Sequence, residues 1–235
     1  LALYNRQRPS RFLSAASPFI AVLLTLLIGC LIFAGMGKDP MHSMYVFIVE
    51  PLLTLRGWGE LGVKMTPLIL CALGLLVCYR ANVWNIGAEG QLIVGALAGG
   101  VVALQVSPEA SQLYMIWVIL AAMVGGALYA GIVAWLKDKC NANEILVSLM
   151  LVYIAELFLS WAVQSPLRDP QGLGFPQSPM FETAATLPIM IPGTRMHWGG
   201  ALVCFALFGI WLIMSKMFIG FQVRVSGMAP KAAAY

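Results

Sequence analysis

The sequence predicts an all-α, polytopic transmembrane helical bundle that contains a discontinuous pair of helices. Of its 235 residues, 60% are hydrophobic and only 10% are charged, whereas a soluble domain usually has about 25% charged residues. The apolar residues fall in blocks, several of which reach the roughly 20 residues that a helix needs to cross a bilayer. A polar, glycine-rich stretch, NVWNIGAEGQ at 82–91, separates two of these blocks. We call this stretch the polar break.

Apolar segments along the chain predict six crossings of the membrane. They lie at about 18–35, 65–79, 92–106, 113–136, 145–164 and 199–217. The second and third are shorter than a full span, which is typical of discontinuous transporter helices. Residues 38–64 carry apolar side chains at helical spacing, namely Met41, Met44, Tyr45, Ile48, Leu52 and Leu55. This pattern predicts an amphipathic helix on the membrane surface.

The distribution of Lys and Arg places the N-terminus in the cytoplasm. With six crossings, nine of the 14 basic residues fall on the inner side, in agreement with the positive-inside rule. These nine are Arg6, Arg8, Arg11, Arg80, Lys137, Lys139, Lys216, Arg224 and Lys231. The proline-rich stretch 165–198 then becomes an extracytoplasmic loop. The parity of the crossings stays open, because the polar break is either a cytoplasmic turn or a re-entrant interruption.

Polar residues at membrane depth are the candidates for the substrate pathway. Asn85, Glu89 and Gln91 lie in the polar break, and Glu156 lies inside the span ILVSLMLVYIAELFLSW. Such groups are costly in lipid unless they face a cavity, water or another helix. For Glu89, capping of a helix start and a place in the pathway are equally good interpretations. For Glu156, pairing with another polar residue competes with substrate contact.

The C-terminal stretch 218–235 is a second candidate site, which we call the coupling segment. It is basic at Arg224, and Gly227 and Pro230 predict a turn followed by a short Ala-rich helix able to dock in a groove. A turn is also expected at Gly220, directly after the last span. The simpler alternative is a solvated basic tail. Docking would be the way in which a membrane subunit presents itself to a cytoplasmic partner.

Several other function classes lack their motifs in this sequence. Lys38 sits in GMGKDP, which does not have the spacing of a Walker A sequence, and no zinc-protease or nucleophile-elbow pattern occurs. The five cysteines form no CxxC pair, so neither a metal site nor disulfides are expected. The net charge of +4 comes from residues at the ends of apolar blocks and does not indicate nucleic-acid binding. We therefore expect no enzymatic activity, no metal and no nucleic-acid partner.

Small residues in the apolar segments predict close contacts between helices. Gly95 and Gly99 form a GxxxG pair, and Ala122, Gly126 and Ala130 form a second row at the same spacing. Such rows allow helix backbones to approach one another. We interpret them as contacts within one subunit.

Four stretches resemble the permease subunits of bacterial ABC importers in the branched-chain amino acid and simple-sugar permease superfamily, on its simple-sugar and nucleoside branch. They are PLILCALGLLVCYRANVWNIGAEGQLIVGALAG (67–99), NANEILVSLMLVYIA (141–155), SPLRDPQGLGFPQS (165–178) and GFQVRVSGMAPKAAAY (220–235). The motif NIGAEGQ is specific to that branch. The resemblance covers most of the chain and implies a multi-pass protein of the bacterial inner membrane.

The resemblance also implies partners. In the family, the stretch like 220–235 is the cytoplasmic coupling helix, so Arg224, Gly227 and Pro230 would meet an ABC ATPase, which binds the ATP. A second permease subunit, identical or homologous, and an extracytoplasmic substrate-binding protein would complete the importer. Family members have further spans after the coupling helix. Because the chain starts at Leu1 and stops at Tyr235 within an Ala-rich turn, we expect 1–235 to be part of one permease domain.

Two functional hypotheses follow. The first is a permease subunit of an ATP-driven importer for nucleosides or simple sugars. The second is an ion- or proton-coupled secondary transporter that uses Glu89 and Glu156 as carriers. A membrane-embedded enzyme ranks last, since no convergent catalytic residues are present.

Overall fold

The protein is all-α in a computed structural model that describes residues 11–229. Its helices are α1 (Arg11–Gly35), α2 (Pro40–Met44), α3 (Glu50–Leu53), α4 (Leu55–Arg80), α5 (Ala88–Ala103), α6 (Tyr114–Cys140), α7 (Glu144–Gln164), α8 (Gly199–Lys216) and α9 (Phe218–Met228). A π-helical turn, Tyr45–Val49, joins α2 to α3, and a 3₁₀ turn lies at Thr183–Ala185. Across 11–229 there is no β-strand, only an isolated bridge between Ile189 and His197.

Five helices of the described part of the chain are long and apolar enough to cross a membrane. They are α4, α6, α7, α8 and the part of α1 from Ala15. Large apolar side chains on these helices are exposed in the isolated chain, for example Phe19 (78%), Leu157 (71%) and Phe205 (75%). Exposed apolar surface on this scale indicates a lipid or protein environment around the helices. The prediction of an all-α polytopic membrane protein is confirmed.

Helix α5 is the shorter of the two helices beside the polar break. Its 16 residues extend over about 24 Å, less than the roughly 30 Å of a bilayer core. The prediction that both helices beside the polar break are short is wrong for the first, because α4 has 26 residues. Thr54 caps the start of α4, with its Oγ1 accepting a hydrogen bond from the Gly57 N–H at 3.0 Å. Because this cap fixes the start of α4 at Leu55, the charged residues that follow lie inside the helix and not before it.

The chain divides into two compact units between Leu61 and Gly62. In the first unit, α1 packs against α2, and Asp39 caps α2 through an Oδ1 that accepts from the Met41 N–H at 3.0 Å. The prediction of one amphipathic helix over 38–64 is wrong in extent. Thr54, with extended backbone, ends α3, and the residues after it belong to α4.

In the second unit, α5 packs most extensively against α6 and then against α7. The predicted small-residue rows lie in the α5–α6 contact. A Cβ atom at Gly95 would lie 2.8 Å from the Ala122 carbonyl oxygen, and one at Gly99 would lie 3.1 Å from the Ala122 Cβ. One at Gly126 would lie 3.1 Å from the Gln91 carbonyl oxygen. The helix backbones meet at these positions because the side chains are absent.

The loop 165–198 is ordered by its contacts. Ala184 and Ala185 are buried with Ala103 and Val106, at the C-terminal end of α5. Farther along, the Met190 N–H donates to the Met196 carbonyl oxygen at 2.8 Å, which forms a narrow hairpin. The loop therefore covers the end of α5 that is opposite the polar break. Its extracytoplasmic location stays a prediction.

Candidate translocation and coupling sites

The polar break starts where α4 ends in a Schellman motif. Asn82 adopts a left-handed conformation (φ 56°). The Val83 N–H donates to the Cys78 carbonyl oxygen at 2.9 Å, and the Asn82 N–H donates to the Tyr79 carbonyl oxygen at 3.1 Å. Asparagine tolerates this conformation better than most residues. The chain then runs without helical structure to Gly87, and α5 begins at Ala88.

Two predicted pathway residues, Asn85 and Gln91, bind each other. The Asn85 Nδ2 donates to Gln91 Oε1 at 3.2 Å, and the Gln91 Nε2 donates to Asn85 Oδ1 at 3.3 Å. The same Oδ1 accepts from the Gly87 N–H at 2.8 Å. Both side chains are half-buried. Their amides thus close and cross-link the turn that leads into α5.

Ser148 on α7 holds the same turn from the other side. It is fully buried, accepts from the Ile86 N–H at 3.2 Å and donates to the Ile145 carbonyl oxygen at 3.1 Å. Ser148 is not among the predicted site residues. The sequence feature that could have indicated it is a hydroxyl within an apolar span, just over one turn after Asn143, the N-cap of α7. Serine is common in such spans, so the signal was weak.

Glycines allow the start of α5 to lie directly on α7. A Cβ atom at Gly87 would lie 3.0 Å from the Ser148 Cβ, and one at Gly90 would lie 3.1 Å from the Val152 Cα. Tyr129 of α6 donates its hydroxyl to the Leu151 carbonyl oxygen at 2.6 Å, beside the same contact. The glycines of NIGAEGQ are therefore required by close packing.

The two predicted carboxylates are placed differently from the amide pair. Glu89 is exposed in the first turn of α5, and Glu156 is exposed on α7. Glu156 lies about 18 Å along α7 from Glu144 and about 12 Å from Gln164, well inside the span. Within residues 11–229, neither side chain makes a hydrogen bond or ion pair. An unpaired carboxylate at that depth requires a polar neighbour or water outside the described chain.

The coupling segment continues the chain almost directly from α8. Helix α8 ends at Lys216 and α9 begins at Phe218. The predicted turns at Gly220 and Gly227 are wrong, because both glycines are helical residues of α9. Gly220 is buried and lacks a Cβ atom where one would overlap the Ile213 carbonyl oxygen. Both glycines serve a close approach, which a single sequence does not distinguish from a turn.

Gly227 is the contact of α9 with the end of α4. A Cβ atom there would overlap the Arg80 carbonyl oxygen and lie 3.1 Å from the carbonyl carbon of Ala81. Arg224, one turn earlier, is half-buried and donates from Nε to the Gly220 carbonyl oxygen at 3.2 Å. Pro230 lies outside the described residues. The coupling segment therefore touches α4 at the last residues before the polar break.

These features define a polytopic helical membrane protein, in which a short helix follows a polar break. The chain belongs to the family described as "Branched-chain amino acid transport system / permease component", whose model matches residues 59–235. It is therefore a multi-pass protein of the inner membrane of a prokaryote, and its five membrane-length helices agree with several crossings.

Curated relatives extend this result. The glucose ABC transporter permease protein TsgB13 of Haloferax volcanii is 37% identical over 99% of the chain and 63% of its own length. The nucleoside ABC transporter permease protein NupB of Lactococcus lactis is 26% identical over 93% of the chain and 62% of its length. The guanosine ABC transporter permease protein NupP of Bacillus subtilis is 28% identical over 93% of the chain and 63% of its length. The chain thus spans slightly less than two thirds of these relatives. No solved structure matches it.

Proposed function

We propose that the chain belongs to the permease subunit of an ATP-driven ABC importer that carries simple sugars or nucleosides. Its family is one of transport permeases, and its curated relatives are named for glucose, nucleosides and guanosine. The higher identity to the glucose permease, 37% against 26% and 28%, favours a sugar. An uncharged polyhydroxyl ligand also suits a pathway with few fixed charges.

The proposed importer combines this subunit with three partners. This subunit would supply half of the pathway, and a second permease subunit, identical or homologous, would supply the other half. A cytoplasmic ATPase, rather than this chain, would bind ATP, and an extracytoplasmic binding protein would deliver the substrate. Lipid would surround the assembly, and nucleic acid would take no part in it.

The observation that carries the proposal is the contact of Gly227 with the end of α4. The helix α9 rests on Arg80 and Ala81, directly before the Schellman turn at Asn82 and the polar break. A displacement of α9 by the ATPase would reach the break through backbone contacts alone. The break would respond as a hinge, with the start of α5 moving relative to the end of α4.

The pathway itself is proposed to lie beside Glu89 and Glu156, the exposed carboxylates of α5 and α7. The side-chain amides of Asn85 and Gln91 hydrogen-bond to each other, so their role would be to set the position of α5. The second permease subunit, or further spans of this one, would then face the two carboxylates. This arrangement separates residues that shape the break from residues that meet the substrate.

Uptake driven by ATP is the direct test. The complete gene product, assembled with its ATPase and reconstituted in vesicles with the binding protein, should accumulate sugar only when ATP is supplied. An uncoupler should leave this uptake unchanged. Uptake that collapses with the uncoupler and ignores ATP would contradict the proposal and favour the alternative, in which Glu89 and Glu156 carry ions or protons.

Substrate class is tested separately on the binding protein. A ligand present at 100 times its dissociation constant stabilises its protein by about 2.7 kcal/mol, which a thermal shift detects. We expect a panel of simple sugars to raise the unfolding midpoint. If only nucleosides raise the midpoint, the proposal of an ABC importer stands, but its substrate is a nucleoside and not a sugar.

A further inference from the structure

A groove with two arginines and an otherwise largely apolar lining runs between α4, α8 and α9. Its volume is about 340 Å³, within the range of ligand-sized clefts. The lining residues are Leu73, Leu76, Arg80, Leu207, Ile210, Trp211, Met214, Ser215 and Arg224. All of them belong to the second compact unit. We call this feature the arginine groove.

The walls of the arginine groove follow the helices into the membrane. On α4, Leu73, Leu76 and Arg80 recur at the spacing of a single helix face. On α8 the corresponding stripe is Leu207, Ile210, Trp211 and Met214. Each stripe covers seven residue steps, or about 10 Å along its helix. The groove is thus apolar at depth and cationic at the end of the span.

The two arginines keep their positive charge unpaired within residues 11–229. Arg80 lies in the last turn of α4, and Arg224 uses Nε for the Gly220 carbonyl oxygen. In the part of the chain that the structure describes, no carboxylate pairs with either guanidinium. Guanidinium groups bind phosphate oxygens through two parallel hydrogen bonds. Two of them at one groove therefore favour a phosphate-bearing ligand.

We propose that the arginine groove binds one anionic phospholipid. Its phosphate lies between Arg80 and Arg224, and the start of an acyl chain lies along the α4 and α8 stripes. The charge selects an anionic headgroup, and the apolar stripes select a lipid over a soluble phosphate. This site is separate from the substrate pathway and does not depend on which substrate the protein carries.

Native mass spectrometry of the delipidated complete gene product in detergent tests the proposal. When both lipids are added back, we expect the protein to bind one phosphatidylglycerol in preference to phosphatidylcholine. Arg80→Gln and Arg224→Gln should each weaken phosphatidylglycerol binding about fivefold, the factor that corresponds to one basic residue near a charged lipid surface. Lys216→Gln, in the last turn of α8 but outside the groove lining, is the matched control and should bind as the unaltered protein does.

Two further variants keep the test decisive. Arg80→Lys retains the charge but loses the paired guanidinium hydrogen bonds, so it should bind more tightly than Arg80→Gln and less tightly than the unaltered protein; this separates lost charge from lost folding. Leu76→Trp leaves both arginines in place but fills the apolar wall, and should also weaken lipid binding.

Four results would overturn the proposal. Equal retention of the two lipids by the unaltered protein would mean that other segments cover the groove. Equal loss in Lys216→Gln and Arg80→Gln would mean nonspecific surface attraction. Competition by glycerol 3-phosphate at the concentration of the lipid would mean that the groove binds soluble anions and not a lipid. Unchanged lipid binding in Leu76→Trp would mean that the acyl chain does not lie in the groove.

Discussion

Helix α5 and the C-terminal end of α9 both approach another helix through glycine, yet they are held in different ways. At α5, Gly87 and Gly90 meet α7, Gly95 and Gly99 meet α6, and Ser148 bonds the backbone of Ile86. At α9, Gly227 alone meets the carbonyl oxygen of Arg80. The first region is enclosed by two helices, whereas the C-terminal end of α9 meets only the end of α4, and Gly220 at the other end of α9 packs on α8.

Because of this difference, we expect the α5 contacts to determine the stability of the fold and the α9 contact to determine the coupling to transport. A side chain added to the α5 contact cannot be accommodated by moving α5, because α6 and α7 contact it on two sides. A side chain added at Gly227 can be accommodated if α9 moves away from α4. We therefore expect substitutions at α5 to reduce folding, and substitutions at α9 to leave folding intact while altering transport.

The largest loss of stability is expected for Gly95→Val. The Cβ atom alone would lie 2.8 Å from the Ala122 carbonyl oxygen, and overpacking of this kind costs about 3 kcal/mol or more when the backbone cannot yield. The yield of folded protein and its thermal unfolding midpoint in detergent should both fall. Gly131→Val on α6 is the control, since nothing lies within 4 Å of a Cβ atom there. Equal losses in the two variants would contradict the packing account.

A smaller loss is expected for Ser148→Ala. The Ile86 N–H would lose its acceptor, the hydroxyl of the fully buried Ser148, at a cost of about 1 kcal/mol. Ser215→Ala on α8 is the matched control, because that hydroxyl is exposed and donates only to the Trp211 carbonyl oxygen within its own helix. The unfolding midpoint should fall for Ser148→Ala and stay close to the unaltered value for Ser215→Ala. An unchanged midpoint at position 148 would mean that the turn at 85–87 is held by Asn85 and Gln91 alone.

The smallest loss is expected for Lys137→Gln. Its Nζ lies 2.7 Å from Glu144 Oε1, across the turn between α6 and α7, with the two side chains 39% and 19% exposed. Partly exposed pairs of this kind contribute about 0.2–1 kcal/mol. The effect on the unfolding midpoint should shrink in high salt. Lys139→Gln, whose partner Asp138 is 72% exposed, should have no measurable effect on the unfolding midpoint. A larger effect for Lys139→Gln than for Lys137→Gln would contradict this assignment.

Much of the fold could be predicted from hydropathy, because the membrane dictates where apolar helices lie. The segments at 113–136, 145–164 and 199–217 correspond to α6, α7 and α8 within a few residues. The start of α4 could not be found in this way. It is set by the hydroxyl of Thr54, and the charged residues that follow, Arg56 and Glu60, do not prevent a helix. Hydropathy detects apolar length, whereas caps decide where a helix begins.

The candidate site was less predictable. The sequence indicated that Asn85 and Gln91 matter, but their mutual hydrogen bonds depend on a turn at 85–87 that has no strong local signature. Ser148 contacts Ile86 across 62 positions of sequence, so no local pattern could join them. Gly220 and Gly227 were predicted as turns, because glycine serves turns and close approaches equally well. The roles of Glu89 and Glu156 in the pathway stay predictions.

The central claim is that α9 transmits ATPase movement to the polar break through its contact at Gly227. The most direct measurement is substrate-stimulated ATP hydrolysis by the assembled importer carrying Gly227→Ala, compared with Gly209→Ala, where a Cβ atom on α8 meets open space. We predict that Gly227→Ala lowers the stimulation at least about fivefold, the scale of a typical coupling free energy. Its unfolding midpoint should match that of Gly209→Ala. Stimulation equal to that of Gly209→Ala would contradict the claim.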